Sequence, residues 1–522
     1  MTSEARTVST NKPPVFARDA TGLVKNVTFW DAITLNVANM SAGSALALIG
    51  YTMVLLPTVS GVNLVYGSMI AFAMSIPQII VYSMMSRRMP RTGGDYVWLT
   101  RSIGGFLGGP LSLFGYALGN LPYLALTVLS AVFAIGSVGV ALGNMSYLGL
   151  ALPGNLTGAQ PAYQFLIGAV IYAAIVGVNL VRPKGGYKLV AVLTSLGLVA
   201  WIVSIAVLLS AGTTGVQNYI NGLAITNTTY SSVASSYAGP NFDFGNTVGL
   251  LIPFFAFFTY PWLNAAPAVG SELRGKQTLR WNVAISGLIS FLVVTISFGA
   301  MYYAGGFAFI TGALANSNLV YNYSFNFWTL AMGVAPNAMV ATFIGIGWIV
   351  WVLAIVAYLV IVEARYLLAF GFDRFLPTII SRVDDKRGSP DIALLVDFAI
   401  SIVLMAGSAF LYGTLVSLYG TIVAPMIYFM FIGIGAAVYA VKREKGTSKI
   451  VLIVSGVLMA TVFAYFTYQF LASPAIWGGN NLAYGYIAFT FVLGIVIYLA
   501  SKSYYSKKGI DIGLAFKEIP PE

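Results

Sequence analysis

The sequence contains no cysteine and no histidine among its 522 residues. The first absence excludes disulfides, thiolate catalysis and metal sites with cysteine ligands. The second removes the usual metal ligand and the side chain that most often carries a proton near neutral pH. No motif places a nucleophile beside a base, so the sequence predicts neither an enzyme nor a bound cofactor or metal.

Charged residues are also few: they make up 8% of the chain, against about 25% in a soluble domain, whereas hydrophobic residues make up 58%. Most of the chain therefore cannot face water. Apolar stretches of about 20 residues, enough to cross a bilayer as a helix, recur along the sequence. Numbered span 1 to span 12, they lie near 29–56, 62–85, 103–136, 162–181, 187–210, 246–270, 282–304, 338–368, 391–411, 414–440, 449–471 and 482–504. The sequence thus predicts an all-α polytopic membrane protein with 12 transmembrane helices.

The positive charges lie on one side of this arrangement. All 27 Lys and Arg fall in the two tails or in and beside the loops that follow the even-numbered spans. Because cytoplasmic loops carry the excess of Lys and Arg, both termini are predicted to be cytoplasmic in a multi-pass protein of the cell membrane. The net charge of +11 then reports topology, and no nucleic acid is expected as a partner.

The loops on the other side, 137–161, 211–245 and 305–337, hold one charged residue, Asp243, and many Asn, Ser and Thr. Glycosylation sequons occur in these loops at Asn144, Asn155, Asn227 and Asn322. They are either acceptor sites or chance products of loops rich in these residue types.

Two spans carry signs of a break. Span 1 holds small and hydroxylated residues around Gly43, which weakens a helix. Span 6 holds Pro253, Pro261 and Pro267, each of which removes a backbone donor. Either break alone fits a kinked packing helix. Because the two lie five spans apart, they favour a five-plus-five inverted repeat with broken helices 1 and 6 and a site at its midplane.

This repeat divides the chain into four parts. Residues 1–28 are predicted to form a cytoplasmic N-terminal tail and residues 29–440 a ten-helix inverted-repeat transport core. Residues 441–504 hold two C-terminal helices, spans 11 and 12, and residues 505–522 form a cytoplasmic C-terminal tail.

A broken helix offers free amides, which attract a carboxylate, and free carbonyls, which attract an ammonium group. An amino acid presents both groups. The predicted substrate-binding residues are Asn39, Met40, Ser41, Ala42, Gly43, Ser44, Phe255, Phe257, Phe258, Thr259, Tyr260 and Trp348. Trp348 and Trp351 either line the pocket or belong to the core. No charged residue lies beside either break in the sequence, so neutral amino acids are favoured as substrates.

A charged residue inside a membrane span costs free energy, so such a residue is first interpreted as functional. The candidates for gating or proton coupling are Asp31, Asp95, Glu272, Glu363, Arg365 and Asp397. Two interpretations of Glu363 and Asp397 are open. The first, which is favoured, makes them members of an ion-pair network that holds an inner gate shut, and the second makes them proton-binding groups. Asp31 and Asp95 are read as gate residues or helix caps.

Four segments resemble the amino acid–polyamine–organocation (APC) superfamily of transporters. They are Phe29-Trp30-Asp31-Ala32 leading to Ser41-Ala42-Gly43; Arg88-Met89-Pro90-Arg91-Thr92-Gly93-Gly94-Asp95-Tyr96; Gly270-Ser271-Glu272-Leu273-Arg274; and Ala364-Arg365-Tyr366-Leu367-Leu368-Ala369 with Asp373-Arg374-Phe375-Leu376-Pro377 and Gly388-Ser389-Pro390. The second is similar to the family's Pro-x-x-Gly-Gly-x-Tyr motif, and in the first Ser41 stands where the family has a glycine. The resemblance implies alternating access around a site between spans 1, 3, 6, 8 and 10.

The resemblance leaves the coupling ion open. Many proton-coupled relatives carry a Lys in span 5, where this chain has Gly197. Sodium-coupled relatives use Ser or Thr from span 8, and none occurs between Trp348 and Arg365.

The sequence therefore predicts a secondary active transporter of amino acids that works by proton-linked symport or exchange. Its expected partners are an amino acid substrate, the lipid bilayer and a coupling proton. The alternatives are a transporter of another small amine, a nucleobase or an organic cation, and a nutrient sensor built on a transporter fold. An ion channel is disfavoured because broken helices alone do not line an open pore.

Overall fold

The structure, a computed structural model, describes residues 23–152, 156–225, 228–412 and 419–519. Within these ranges the chain is helical, and its β pairing is limited to two isolated bridges. The described part holds 11 helices that are long and apolar enough to cross a membrane. The predicted all-α polytopic fold is confirmed. The sequons at Asn155 and Asn227, and the N-terminal tail before residue 23, lie outside the described residues.

The observed helices follow the predicted spans closely, and their bounds are as follows. In order they are Phe29–Asn39 and Ala42–Met53 (span 1), Leu64–Arg88, Gly105–Ala141, Pro161–Val181, Pro183–Gly222, Phe244–Phe258 with Ala265–Ala268 (span 6), Lys276–Gly305, Ala338–Phe372, Asp391–Leu411, Gly420–Arg443, Gly446–Ala472 and Asn481–Ser506. Span 6 is not among the 11 long helices because its break leaves an apolar helix of only Phe244–Phe258.

The buried fraction of each span shows which spans lie at the centre of the bundle and which lie at its outside. Span 1 is 100% buried over its most apolar window, and spans 3 and 8 are 83% and 78% buried. Spans 4, 5, 9 and 11 are each 33% buried, and span 12 is 22% buried. The broken span 1 is therefore enclosed by other helices, and the outer spans offer their apolar faces to lipid.

Span 3 is interrupted, which the sequence analysis did not predict. A helix over Gly105–Ser112 passes into a π-helical turn over Leu113–Ala117, and regular helix resumes at Leu121. Pro122 has no N–H to donate to the carbonyl of Leu118. The hydroxyl of Tyr486 donates to that carbonyl instead, at 2.6 Å.

Parts of the predicted outer loops are helical. Span 5 continues to Gly222 after a kink at Gly212, where φ is 54° and ψ is −163°. The 305–337 loop contains helices over Phe307–Ala315, Ser317–Tyr323 and Phe327–Gly333. The last of these brings Trp328 inwards, where its indole Nε1 donates to the carbonyl of Gly43 at 3.0 Å.

Two glycines precede span 3, at a point where the chain lies close to spans 6 and 8. Gly93 and Gly94 have φ of 84° and 42°, a region that side chains rarely adopt. A Cβ on Gly93 would lie 2.5 Å from Cβ of Ala369, and a Cβ on Gly94 would lie 2.7 Å from the carbonyl of Pro267. The segment leading into span 3 is thereby held between spans 6 and 8.

Candidate functional site

The break in span 1 lies at Met40 and Ser41. Ser41 adopts the left-handed conformation, with φ of 47° and ψ of 31°, which is uncommon for residues other than glycine. Its hydroxyl lies 3.1 Å from both the carbonyl of Asn39 and the hydroxyl of Tyr123. The outer half of span 1 starts at Ala42. The N–H groups of Ala42 and Gly43 have no partner within that half, and they form its positive end.

The break in span 6 follows Phe258, and two of its carbonyls accept hydrogen bonds from side chains. Pro261 cannot donate to the carbonyl of Phe257, and the indole Nε1 of Trp262 donates to it at 2.7 Å. The side-chain amide of Gln78 donates to the carbonyl of Pro261, also at 2.7 Å. The side-chain oxygens that remain without a partner at the two breaks are Asn39 Oδ1 and Thr259 Oγ1.

A chain of buried hydrogen bonds joins the two breaks. Asn39 Nδ2 donates to Asn264 Oδ1 at 3.0 Å, and Asn264 Nδ2 donates to the hydroxyl of Tyr366 in span 8, also at 3.0 Å. A second amide, Asn36, accepts the backbone N–H of Ala266 at 2.9 Å. Spans 1, 6 and 8 are therefore connected at the level of the breaks.

Asp95 ends this chain, although it lies far from both breaks in the sequence. The hydroxyls of Tyr82 and Tyr428 donate to its carboxylate at 2.6 and 2.8 Å, and the hydroxyl of Tyr366 donates to the same group. Asp95 is fully buried and is satisfied by three neutral donors. It is thus a junction of spans 2, 3, 8 and 10, linked through Tyr366 to Asn264.

A cluster of aromatic rings includes Tyr123, whose hydroxyl contacts Ser41. Tyr123 of span 3 stacks on Trp262, with ring centroids 5.3 Å apart and an interplanar angle of 8°. Phe257 meets the same tyrosine edge-on at 6.2 Å. Phe258 contacts the ring of Phe257 at 4.4 Å. These rings form an apolar wall beside the span 1 break.

Other predicted residues of span 6 point away from Ser41. The hydroxyl of Tyr260 lies 2.5 Å from that of Ser68 in span 2. Phe255 contacts Tyr260 and Phe298 of span 7, with ring centroids 5.9 and 6.2 Å apart. Phe257 and Phe258 therefore belong to the aromatic wall beside the span 1 break, whereas Phe255 and Tyr260 pack against spans 2 and 7.

Trp351, rather than Trp348, covers the outer half of the span 1 break. A Cβ on Gly43 would lie 2.6 Å from Cγ of Trp351. A Cβ on Gly197 of span 5 would lie 2.8 Å from Cε3 of the same indole. Trp348 instead meets Phe133 of span 3, at 6.0 Å. The indole of Trp351 thus fills the space between spans 1 and 5, beside the position where many proton-coupled relatives carry a lysine.

Ion pairs close the end of the bundle where the Lys and Arg lie, here called the basic end. Arg365 and Glu272 pair at 3.0 Å, and the hydroxyl of Tyr187 donates to the same carboxylate at 2.9 Å. Arg101 pairs with Asp373 at 2.5 Å. These buried pairs tie spans 3, 5, 6 and 8 together.

Asp31 has a local role. It completes a capping box with Thr28 at the start of span 1, and Lys188, which is largely exposed, approaches it at 3.4 Å.

Neither Glu363 nor Asp397 belongs to an ion pair within the described part of the chain, so the first interpretation of these two residues is wrong. Glu363 accepts from Asn120 Nδ2 at 2.7 Å, and Asp397 accepts from the hydroxyl of Tyr172 at 3.0 Å. They face spans 3 and 4, away from Glu272. Ion pairs do lie at the basic end, but they are formed by other acids, Glu272 and Asp373.

The predicted substrate residues are all buried, from Asn39 through Ser44 in span 1 to Thr259 in span 6 and Trp348 in span 8. The arrangement combines a positive helix end, two unpartnered oxygens and an aromatic wall. Sequence reasoning missed Tyr123 and Trp328, whose roles depend on contacts between distant spans, and it included Trp262 only as the end of the span 6 break. Only the proline at 261 gave a local signal, since it frees the carbonyl that Trp262 binds.

A family model described as amino acid permease matches residues 28–498, a range that includes every predicted site residue. Comparison with curated proteins finds no matching relative. The family match confirms the resemblance that four segments of the sequence gave to the APC superfamily. Together with the bundle of apolar helices, it shows that the chain belongs to the amino acid permease family and is a multi-pass membrane transporter.

Proposed function

We propose that this permease carries neutral amino acids by alternating access, with the substrate bound between the breaks of spans 1 and 6. The observation that supports this most is the hydrogen bond of 3.0 Å between Asn39 and Asn264, which brings the two breaks together. A site at that junction can meet both ends of a zwitterion.

Each end of the substrate has a matching group. The carboxylate would lie against the N–H groups of Ala42 and Gly43, where the dipole of the outer half-helix favours negative charge. The ammonium group would donate to the unpartnered oxygens Asn39 Oδ1 and Thr259 Oγ1. A buried polar oxygen without a partner is costly, so a donor from the substrate would stabilise this arrangement.

The side chain of the substrate would pack on Tyr123 and Phe257. Burying apolar area against such rings contributes about 25 cal/mol per Å². A charged side chain would need a charged partner. The acid linked to the site, Asp95, already accepts three tyrosine hydroxyls. Neutral and mid-sized substrates are therefore favoured.

The same proposal includes the membrane arrangement. Both termini are cytoplasmic, the basic end is the inner gate, and ten spans form a five-plus-five inverted repeat followed by two further helices. Because the chain lacks cysteine, single cysteines report topology cleanly. Asn322→Cys should react with an impermeant maleimide only from outside and Lys508→Cys only from inside. The reverse pattern would contradict the topology.

Uptake into proteoliposomes tests the transport function. Radiolabelled neutral amino acids should exchange against unlabelled substrate trapped inside, with competition profiles measured across charged amino acids, amines and nucleobases. Competition led by neutral amino acids supports the proposal. Exchange of amines or nucleobases alone would replace it with the corresponding transport function.

A further inference from the structure

Two fully buried acids lie outside the gate and outside the substrate site. Glu363 of span 8 has one carboxylate oxygen bound to Asn120 Nδ2 at 2.7 Å, while its Oε2 has no hydrogen-bond partner. Asp397 of span 9 accepts from the hydroxyls of Tyr172 and Ser401 at 3.0 and 3.2 Å. All of these donors are neutral, so neither acid is compensated by a positive charge.

Among the residues that the structure describes, the groups that face Glu363 from the surrounding helices supply no cation. Its nearest cationic neighbour along the helix, Arg365, pairs with Glu272. The titratable groups within electrostatic range of Glu363 are Tyr116 of span 3, Tyr172 of span 4, Tyr358 of span 8, Asp397 of span 9 and Tyr486 of span 12. A charged carboxylate without a partner in such a place costs several kcal/mol, and two nearby carboxylates resist simultaneous ionisation. Binding of one proton to either carboxylate removes this cost.

The interruption of span 3 points to the same place independently. Asn120 lies between the π-helical turn at Leu113–Ala117 and the helix that resumes at Leu121. Its Oδ1 is buried without a hydrogen-bond partner. Irregular backbone at membrane depth is tolerated where it lines a polar site, and π-helical turns frequently mark functional sites. The polar atoms around Glu363 are thus arranged for a ligand that donates a hydrogen bond or a proton.

This cluster is adjacent to the junction of the two breaks. Glu363 and Tyr366 are three residues apart and share one face of span 8. The ring of Tyr116 packs on that of Tyr366, with centroids 4.3 Å apart, and Tyr366 accepts from Asn264 at 3.0 Å. A change of charge on Glu363 therefore acts on groups in contact with the substrate site.

We propose that Glu363, with Asp397 as its neighbour, binds the coupling proton of the transport cycle. The proposal rests on the proposed transport function. The proton adds to a carboxylate oxygen when the site faces one aqueous side and leaves to water when it faces the other, with no electron transfer.

Accumulation driven by a pH gradient tests the proposal. One pH unit corresponds to about 1.4 kcal/mol, or about tenfold accumulation at one proton per substrate. Wild-type proteoliposomes should approach this ratio, whereas Glu363→Gln should bring it close to one while exchange at equal pH persists. Asp397→Asn should lower the ratio less. Asp243→Asn is the matched control, since Asp243 lies in an outer loop, where it accepts from the backbone N–H of Asn246 at 2.7 Å, and it should accumulate like wild type.

The outcomes separate the two proposals. If wild type neither exchanges nor accumulates any amino acid, the proposed transport function is refuted, and so is the proposed proton site, which depends on it. If wild type and both acid variants accumulate substrate equally, or if accumulation follows sodium and ignores pH, the proton site is refuted and transport stands. Should Glu363→Gln fail to fold, Asn120→Ala keeps the carboxyl and removes its donor. That variant should shift the pH dependence of accumulation, and an unchanged pH profile would overturn the proposal.

Discussion

Asn39 and Asn264 lie 225 positions apart and share a buried hydrogen bond of 3.0 Å. One stands at the break of span 1 and the other at the break of span 6. Asn264 also donates to Tyr366 of span 8 at 3.0 Å. Buried hydrogen bonds therefore connect the two broken helices to each other and to span 8.

Asn264→Ala should weaken substrate binding by about tenfold while the protein still folds. The change leaves Asn39 Nδ2 without its acceptor, and an unsatisfied buried group costs about 1–3 kcal/mol. Affinity is measured by thermal-shift titration with a neutral amino acid. Asn179→Ala is the control, because this buried amide of span 4 bonds within its own helix. Equal affinity losses in the two variants would mean that Asn264 has no special relation to the site.

Gly43→Ala should destabilise the protein by about 1–3 kcal/mol, as overpacking of a filled interior does. The new Cβ would lie 2.6 Å from the indole of Trp351. Gly177→Ala is the matched control, since its Cβ would meet nothing within 4 Å. Combining Gly43→Ala with Trp351→Leu should restore part of the lost melting temperature. Unchanged melting of Gly43→Ala alone would show that the indole does not occupy this space.

Phe257→Ala should weaken binding of large apolar substrates by roughly 1–3 kcal/mol and leave glycine little changed. Phe257 contacts Tyr123 beside Ser41, whereas Phe255 packs towards span 7. Phe255→Ala is therefore the control that removes the same ring elsewhere. Competition profiles that change alike in both variants would contradict this division of span 6.

The number of spans, the position of the basic end and the two breaks were readable from the sequence. Prolines at 253 and 261 and the small residues near Gly43 signal breaks locally, because they act on their own backbone. The partners of the breaks were not readable, since Tyr123 and Trp351 come from other spans and their distance in sequence carries no contact information. The same holds for Asp95, which three tyrosines from three spans connect to the site.

Two further features differ between the sequence prediction and the structure, and the sequence contains part of the evidence for each. Gly119 and Pro122 are local signals of the interruption in span 3, but the strongly apolar residues around them are typical of an unbroken span. The closeness of Glu363 to Arg365 in the sequence favours an ion-pair network. In the structure the two point to different partners, Asn120 and Glu272.

Glu444 adds stability at the basic end that depends on pH. The bidentate hydrogen bonds from Arg88, at 2.5 and 2.8 Å, lower the pKa of Glu444 from 4.5 to about 2. The contribution is therefore complete above pH 4.5 and is lost as the pH falls towards 2. Because the pair lies near solvent, it contributes up to about 1 kcal/mol. Glu444→Gln should melt below wild type at neutral pH and converge with it in acid. A gap that widens in acid would contradict this.

The junction of the two breaks is proposed to bind both ends of an amino acid. The test is inhibition of exchange by three matched compounds: a neutral amino acid, its methyl ester and its N-acetyl derivative. Each derivative lacks one charge, so each loses hydrogen bonds to a charged group, worth about 1.5–3 kcal/mol. Both derivatives should therefore inhibit at least about tenfold more weakly than the parent. Equal inhibition by the ester or by the acetyl compound would show that the corresponding half of the site is not where the substrate binds.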